Sequence, residues 1–496
     1  MAHSEGDRIM GSSGNTLNVV FSVSERLVAQ AAQFAVFIVA ARILGPAEFG
    51  VFALASAVAF LFFRAAEAGW APFIMSHDGD VSVPLQVLFI AIVTGILVGV
   101  FGALTAVGID AVFGLEAGLL KLMLLFSIWV VIANAASAQT GILIWLGRIR
   151  ASSLCEISGE VAALVVAVVA LKSGEGVLAL AYGRLTAQSV TLLSSLAVTR
   201  RLPMLGMSAQ VRRELWAFSS QIFGARMLVQ MRLHFVTLII GSYLGPSAAG
   251  LFRAAERLVG ALTELIWVPG QIMAWSTLRR ARDEGDSDPR SQQSRINVQL
   301  ARLLFALIML GAPLLLWTII MREEIVLGLL GSEWALCAPL VAVLAIGRLL
   351  LFVGITTEPL LSITGQARRM PGFMASLFCV SIVLTLVCAP YGLMPLAWSQ
   401  VAISGISLIA TIRLFSKHSG IRWKEVGKPL QGTIIPLVCG VLTIVILKEY
   451  FFTTPWPDLL KAVLFGLSGG LIFGGVTYAM SSGMRTKFVL MKRGLG

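Results

Sequence analysis

The sequence predicts an all-α polytopic membrane protein of about 14 transmembrane helices. Three observations predict it: the composition, the spacing of the apolar runs, and an internal repeat at an offset of 200 residues. Hydrophobic residues make up 57% of the 496 residues and charged residues 13%, about half the roughly 25% usual in a soluble domain. A soluble chain of this length has too little interior to hide that much apolar surface, so lipid must solvate most of it. This excludes a cytosolic enzyme with a small anchor, a disordered chain and a secreted disulfide scaffold. Glu5 and Asp7 precede the first long apolar run, which itself holds Glu25 and Arg26. That pattern is unlike a secretory signal, and the run is expected to be retained.

Windows of about 20 apolar residues mark the crossings. They fall near 17–41, 49–75, 84–108, 117–146, 153–171, 177–198, 215–241, 248–276, 299–321, 334–362, 371–389, 393–415, 429–450 and 456–481. No soluble domain fits between them, and the longest polar insertion is Thr277–Val298. The net charge of +12 is read as membrane orientation rather than nucleic-acid binding, because Lys and Arg lie mostly in short loops. With Arg413 counted at the end of span twelve, 23 of them fall on one side of the alternating loops and five on the other. This places both termini in the cytoplasm and supports an even number of spans.

The repeat is read directly. Arg26 and Gln30 recur as Arg226 and Gln230, Leu44-Gly45-Pro46 as Leu244-Gly245-Pro246, and Gly50-x-Phe52 as Gly250-x-Phe252. Trp70-Ala71-Pro72 answers Trp267-Val268-Pro269 with a shift of three. Six spans separate the copies, so both thread the membrane in the same direction, as in parallel-repeat transporters. The expected organisation is a six-helix half over 1–200, an interfacial linker helix over 201–214, a second six-helix half over 215–416, and two extra helices with a cytoplasmic tail over 417–496. Each Leu-Gly-Pro should form a tight turn between two helices. Pro72 and Pro269 should kink or end spans two and eight.

Charges at membrane depth are costly, roughly 2.5–3.5 kcal/mol each on the lenient insertion scale, and are therefore informative. Arg26, Gln30 and Gln33 share one face of span one, beside Glu25. Span two holds Arg64 and Glu67, span five Glu156 and Glu160, and span six Arg184. Ser219, Arg226, Gln230 and Thr237 share a face of span seven, with His234 beside them. Span eight carries Arg253, Glu256, Arg257 and Glu264. One reading is an inward-facing polar cavity with an excess of arginine, whose planar fork binds phosphate bidentately; Arg26, Gln30, Arg64, Arg226, Gln230, Arg253 and Arg257 are its candidate substrate ligands. Glu25, Glu67, His234, Glu256 and Glu264 are candidates for ion coupling or for pairing. The other reading is structural: Arg64–Glu67 and Arg253–Glu256 neutralise each other locally. His234 is either a proton-linked switch or a hydrogen-bonded core residue.

Gly466, Gly470 and Gly474 read as a ridge for close helix packing. The five cysteines and four histidines are too scattered for a metal site, and no catalytic triad, phosphate loop or nucleotide motif is present. No catalytic residue, metal or cofactor is expected.

The segment Ala41-Arg-Ile-Leu-Gly-Pro-Ala-Glu-Phe-Gly-Val-Phe-Ala-Leu-Ala55 resembles the start of the bacterial polysaccharide flippases of the multidrug, oligosaccharidyl-lipid and polysaccharide exporter superfamily. Ile239-Ile-Gly-Ser-Tyr-Leu-Gly-Pro246 resembles the start of their second half. The resemblance implies two six-helix lobes around a central cavity lined by spans 1, 2, 7 and 8. It implies flipping of undecaprenyl-pyrophosphate-linked oligosaccharide across the bacterial inner membrane by alternating access, for cell-surface polysaccharide assembly. A proton or sodium gradient, or downstream consumption, would supply the energy. A polysaccharide polymerase and export machinery are candidate partners. One departure is His234-Phe-Val-Thr-Leu238, where relatives often carry an acidic residue. The rivals are an ion-coupled drug or organic-cation antiporter of the same superfamily, which would want a net negative cavity, and a polyprenyl-dependent glycosyltransferase or ligase, which would want a large extracytoplasmic loop.

Overall fold

The computed structural model describes residues 12–77, 79–114, 117–283, 288–451, 454 and 456–480. These residues form helices, turns and bends and no strand, so the all-α reading holds. The chain divides into two compact units, 1–250 and 251–496.

The first unit contains α1 (Ser12–Glu67), α2 (Trp70–Ser76), α3 (Ser82–Phe113), α4 (Ala117–Trp145), α5 (Ile149–Lys172), α6 (Leu178–Thr199) and the first part of α7 (Ala209–Asp283). At 56 residues, α1 runs roughly 84 Å, far more than the about 30 Å of a hydrocarbon core. It is broken at Gly45 (φ 67°, ψ 177°), with Pro46 following. That backbone region is open essentially only to glycine. The 75-residue α7 is broken at Gly245 (φ 84°, ψ 173°), again before a proline. The repeat seen in sequence is thus a repeat of backbone conformation.

The expected proline breaks come out differently at the two sites. Span two is broken at Ala68 (φ 40°) and Gly69 (φ 91°), four and three residues before Pro72, where a proline's missing N–H and ring disturb the preceding turn. Pro72 lies in the first turn of α2, where its missing N–H deprives the helix of nothing. Pro269 lies within α7, whose single non-helical residue is Gly245, so span eight absorbs one missing bond without ending. The linker is helical only from Ala209. Ser208 caps it by accepting from the Val211 N–H at 3.2 Å, and Gln86 accepts from the Ser208 N–H at 3.0 Å, tying the linker to α3.

The second unit holds the rest of α7 with α8 (Pro289–Ile320), α9 (Arg322–Leu330), α10 (Cys337–Leu350), α11 (Thr357–Ile363), α12 (Met370–Cys388), α13 (Leu393–His418), α14 (Trp423–Gln431), α15 (Ile434–Tyr450) and α16 (Asp458–Met480). The expected continuous tenth span is a pair, Cys337–Leu350 (α10) and Phe352–Ile363 (a short 3-10 turn and α11), bent by 43° at the break between them. The glycine ridge is also corrected. Gly466 packs against Trp317, but a β-carbon at Gly470 or Gly474 would meet nothing within 4 Å. The close approach of α15 to α16 runs instead through Gly440 and Gly469. Lys448 fastens α15 to α9 through Glu324 at 2.9 Å.

Among the described residues nine helices are long and apolar enough to cross a membrane, ten if the bent pair counts as one span. Two of the nine, of 50 and 54 residues, carry the glycine breaks. α6 and α15 are not among them.

Candidate functional site

The charged residues of the first unit are built into its helix packing, beginning at the end of α1. Asn134 on α4 is fully buried. Its Nδ2 donates to the carbonyl oxygens of Ala66 (3.3 Å) and Ala91 (2.7 Å) and to Thr94 Oγ1 (3.1 Å). Trp70 Nε1 also donates to the Ala66 carbonyl, at 2.8 Å. Together they fix the last turn of α1, and with it Glu67. That carboxylate is 6% exposed and 2.6 Å from Arg64 Nη1, and its other oxygen accepts from Ser137 Oγ at 3.4 Å. The Arg64 guanidinium also sits 5.2 Å from the Phe63 ring centroid. Its Nε is buried with no hydrogen-bond partner among the described residues.

One turn earlier on α1, the Phe60 ring gathers residues from three other helices. His234 of α7 stacks on it at 5.4 Å with an interplanar angle of 6°. The Arg184 guanidinium of α6 lies 5.7 Å from the same centroid. Trp129 of α4 meets it edge-on at 4.9 Å. A guanidinium over a ring face is an electrostatically favourable way to keep a cation at membrane depth. The Trp129 indole N–H is buried, with no acceptor among the described residues. Further along α1, Gln33 Nε2 donates to Glu160 Oε1 of α5 at 3.0 Å.

In the second unit, Arg253 Nη1 lies 2.9 Å from Glu256 Oε2. Arg257 and Glu264 are half-buried on the same helix. Gln271 Nε2 donates to Glu358 Oε2 at 3.4 Å, joining α7 to α11.

Both local ion pairs anticipated for Arg64 and Arg253 are therefore formed, and His234 is buried against an aromatic ring rather than standing alone on a polar stripe. Gln30, Gln230 and Glu25 are half-buried. The side chains of Arg26 and Arg226 lie outside the described residues. Sequence reasoning missed Phe60, Trp129, Asn134 and Ser137 as parts of the site. Asn134 was detectable as the one carboxamide in the run Ala133-Asn-Ala-Ala-Ser-Ala138. Phe60 had no signal among 27 phenylalanines. Among the described residues no group of three or more His, Cys, Asp or Glu side chains could hold a metal ion.

This arrangement defines a helical membrane protein in which Arg64 and Arg253 are each paired with a carboxylate and Arg184 lies over an aromatic ring. The backbone is similar to that of the lipid II flippase MurJ in an inward closed conformation, with a TM-score of 0.67 at 13% identity over 94% of this chain and 99% of that one. It is also similar to an inward-facing multidrug resistance MATE family transporter of the MOP superfamily, with a TM-score of 0.61 at 16% identity over 79% and 95%. In sequence, the succinoglycan biosynthesis transport protein ExoT of Rhizobium meliloti (strain 1021) is 25% identical over 356 residues, 71% of this chain and 69% of the relative. Residues 39–339 match the polysaccharide biosynthesis protein family. The chain belongs to that family.

Proposed function

We propose that this protein is a flippase that carries undecaprenyl-pyrophosphate-linked oligosaccharide across the bacterial inner membrane by alternating access. The observation that carries the reading is membership of the polysaccharide biosynthesis protein family over 39–339. It is supported by the likeness to a relative named as a succinoglycan transport protein. The polyprenyl tail would stay in lipid while the pyrophosphate and sugars cross beside arginines at membrane depth. Guanidinium groups suit that cargo, because they remain charged and bind phosphate through paired N–H donors. Two buried donors, Arg64 Nε and Trp129 Nε1, have no acceptor among the described residues, and an anionic oxygen is the acceptor to which each would donate most favourably. The antiporter reading fits less well, since Glu67, Glu160 and Glu256 are engaged by Arg64, Gln33 and Arg253. Fourteen crossings, cytoplasmic termini, and drive by an ion gradient or by downstream consumption complete the proposal.

Deletion of the gene followed by lipid analysis tests it. An undecaprenyl-linked oligosaccharide should accumulate on the cytoplasmic face, and wild-type protein should clear it. Arg26→Ala and Arg226→Ala, at matching repeat positions, should each fail to clear it at near-normal protein level. Full clearance by both variants removes the paired arginine site, and absence of any accumulated lipid removes the flippase reading.

A further inference from the structure

A second cationic site lies in the second unit, where the end of α7 faces the first part of α8. Thr277, Arg280 and Ala281 on α7 face Ser294, Arg295, Val298, Gln299 and Arg302 on α8 across a cleft of about 470 Å³. The α7 residues are spaced i, i+3, i+4, and those on α8 keep to one face of that helix, so each helix turns a single stripe to the cleft. The volume falls within the range of small-molecule sites. The lining offers three guanidiniums, two hydroxyls and a carboxamide, and no carboxylate.

The neighbouring charges are distributed differently. Asp283 pairs with Arg279 at 3.5 Å and with Arg282 at 2.7 Å, outside the cleft. No carboxylate among the described residues pairs with Arg280 or Arg302. Arg295 bridges the two helices, donating through Nε to the Ala281 carbonyl at 3.3 Å and through Nη1 to Ser291 Oγ at 3.0 Å. Its guanidinium is therefore held in place at the cleft wall, so its order does not have to be supplied on binding.

The surface beside the cleft is apolar and exposed. On α7 the turn before Thr277 exposes Ile272, Met273 and Trp275, and on α8 Val298 is 44% and Leu310 66% exposed. An exposed tryptophan beside arginines, followed by an exposed aliphatic surface, marks the headgroup level of a bilayer. The geometry points to a binding site for the phosphate of an anionic membrane lipid, with the acyl chains lying along the apolar surface of α8. Its lining shares no residue with the candidate substrate ligands, and the proposal stands whether or not that of transport does.

Native mass spectrometry of the purified full-length protein tests this with phosphatidylglycerol as probe, phosphatidylcholine as the neutral headgroup and inorganic pyrophosphate as the soluble anion. Wild-type protein should retain phosphatidylglycerol in preference to phosphatidylcholine. Arg280→Gln/Arg302→Gln should weaken that retention by about tenfold or more, since charge-assisted hydrogen bonds are lost. Arg279→Gln, whose side chain is paired outside the cleft, should leave it unchanged. If the double variant does not elute as a single folded species, Arg302→Gln is read in the same way. Equal retention by wild type and the cleft variant, or an equal loss in Arg279→Gln, overturns the site. Displacement by equimolar pyrophosphate assigns the cleft to a soluble phosphate and overturns the lipid.

Discussion

The α-carbon of Gly50 faces the carbonyl oxygen of Pro246 with no room for a β-carbon, and Gly250 faces the carbonyl oxygen of Pro46 in the same way. These four residues belong to the two copies of the repeat, the prolines to Leu-Gly-Pro and the glycines to Gly-x-Phe, and the contact is reciprocal: each glycine receives the turn of the other copy. A methyl group at either glycine would overlap backbone, which has no rotamer through which to yield.

Gly50→Ala and Gly250→Ala should therefore each destabilise the protein, by about 1–3 kcal/mol on the scale of overpacked sites. Because the two contacts form one interface, the double variant should cost less than the sum of the singles. Thermal unfolding of the purified protein followed by fluorescence checks both statements. Unchanged stability in both singles contradicts the close contact.

The pair of Arg64 and Glu67 separates a structural from a transport role. Glu67→Gln leaves a partly buried guanidinium without its counter-charge. With Arg64 still 34% exposed, a loss of about 1–3 kcal/mol is expected, below the 3–5 kcal/mol of a fully buried broken pair. Arg64→Leu/Glu67→Leu should recover most of that stability. If Arg64 touches substrate, the stable double variant will still fail in transport. Normal transport by the double variant would leave the pair a purely structural role. A double-mutant cycle in thermal unfolding, run beside an export assay, reads both quantities.

Topology follows from the loop charges. In a background without the five native cysteines, Arg290→Cys should resist an impermeant thiol reagent in intact spheroplasts, and Glu333→Cys should react. Labelling of position 290 alone would invert the orientation.

Acid should loosen the end of α7. The hydrogen bond and charge of Arg282, then Arg279, hold the Asp283 carboxyl below its ordinary range. A carboxylate whose folded pKa is lowered contributes stability above its unfolded value of about 3.9, and that contribution is lost as pH falls through the lower folded value. Amides of residues 278–283 should exchange faster with solvent on acidification through that window, after correction for the intrinsic pH dependence of exchange. Asp283→Asn should abolish the step.

Much of the fold was legible because lipid imposes simple rules. Twenty-residue apolar runs had to become helices, and Gly45 and Gly245 had to occupy a backbone region closed to other residues. The prolines were legible in part, because a proline breaks a helix only where its missing N–H and its ring conflict with the preceding turn. In span two the break falls at Ala68 and Gly69, in the turn before Pro72, and in span eight the helix runs on past Pro269. The site was legible as charges and not as their environments. Arg64–Glu67 and Arg253–Glu256 follow from spacing alone. Phe60 is one aromatic among many until the fold brings His234, Arg184 and Trp129 onto its ring, since these contacts join four helices from across the sequence. The cleft at Arg280 and Arg302 was hidden for the same reason: Arg280 counted only as loop charge and Arg302 only as a charge near the end of span nine.

Translocation in proteoliposomes measures the central claim most directly. Purified protein would be reconstituted with an undecaprenyl-pyrophosphate-linked oligosaccharide placed in both leaflets and read with a membrane-impermeant enzyme that cleaves only the outer pool. The account predicts that wild-type protein makes the inner pool accessible, while vesicles without protein keep about half protected, and that undecaprenol lacking the pyrophosphate does not compete. Continued protection of the inner pool, together with proton- or sodium-driven uptake of organic cations by the same vesicles, would contradict it.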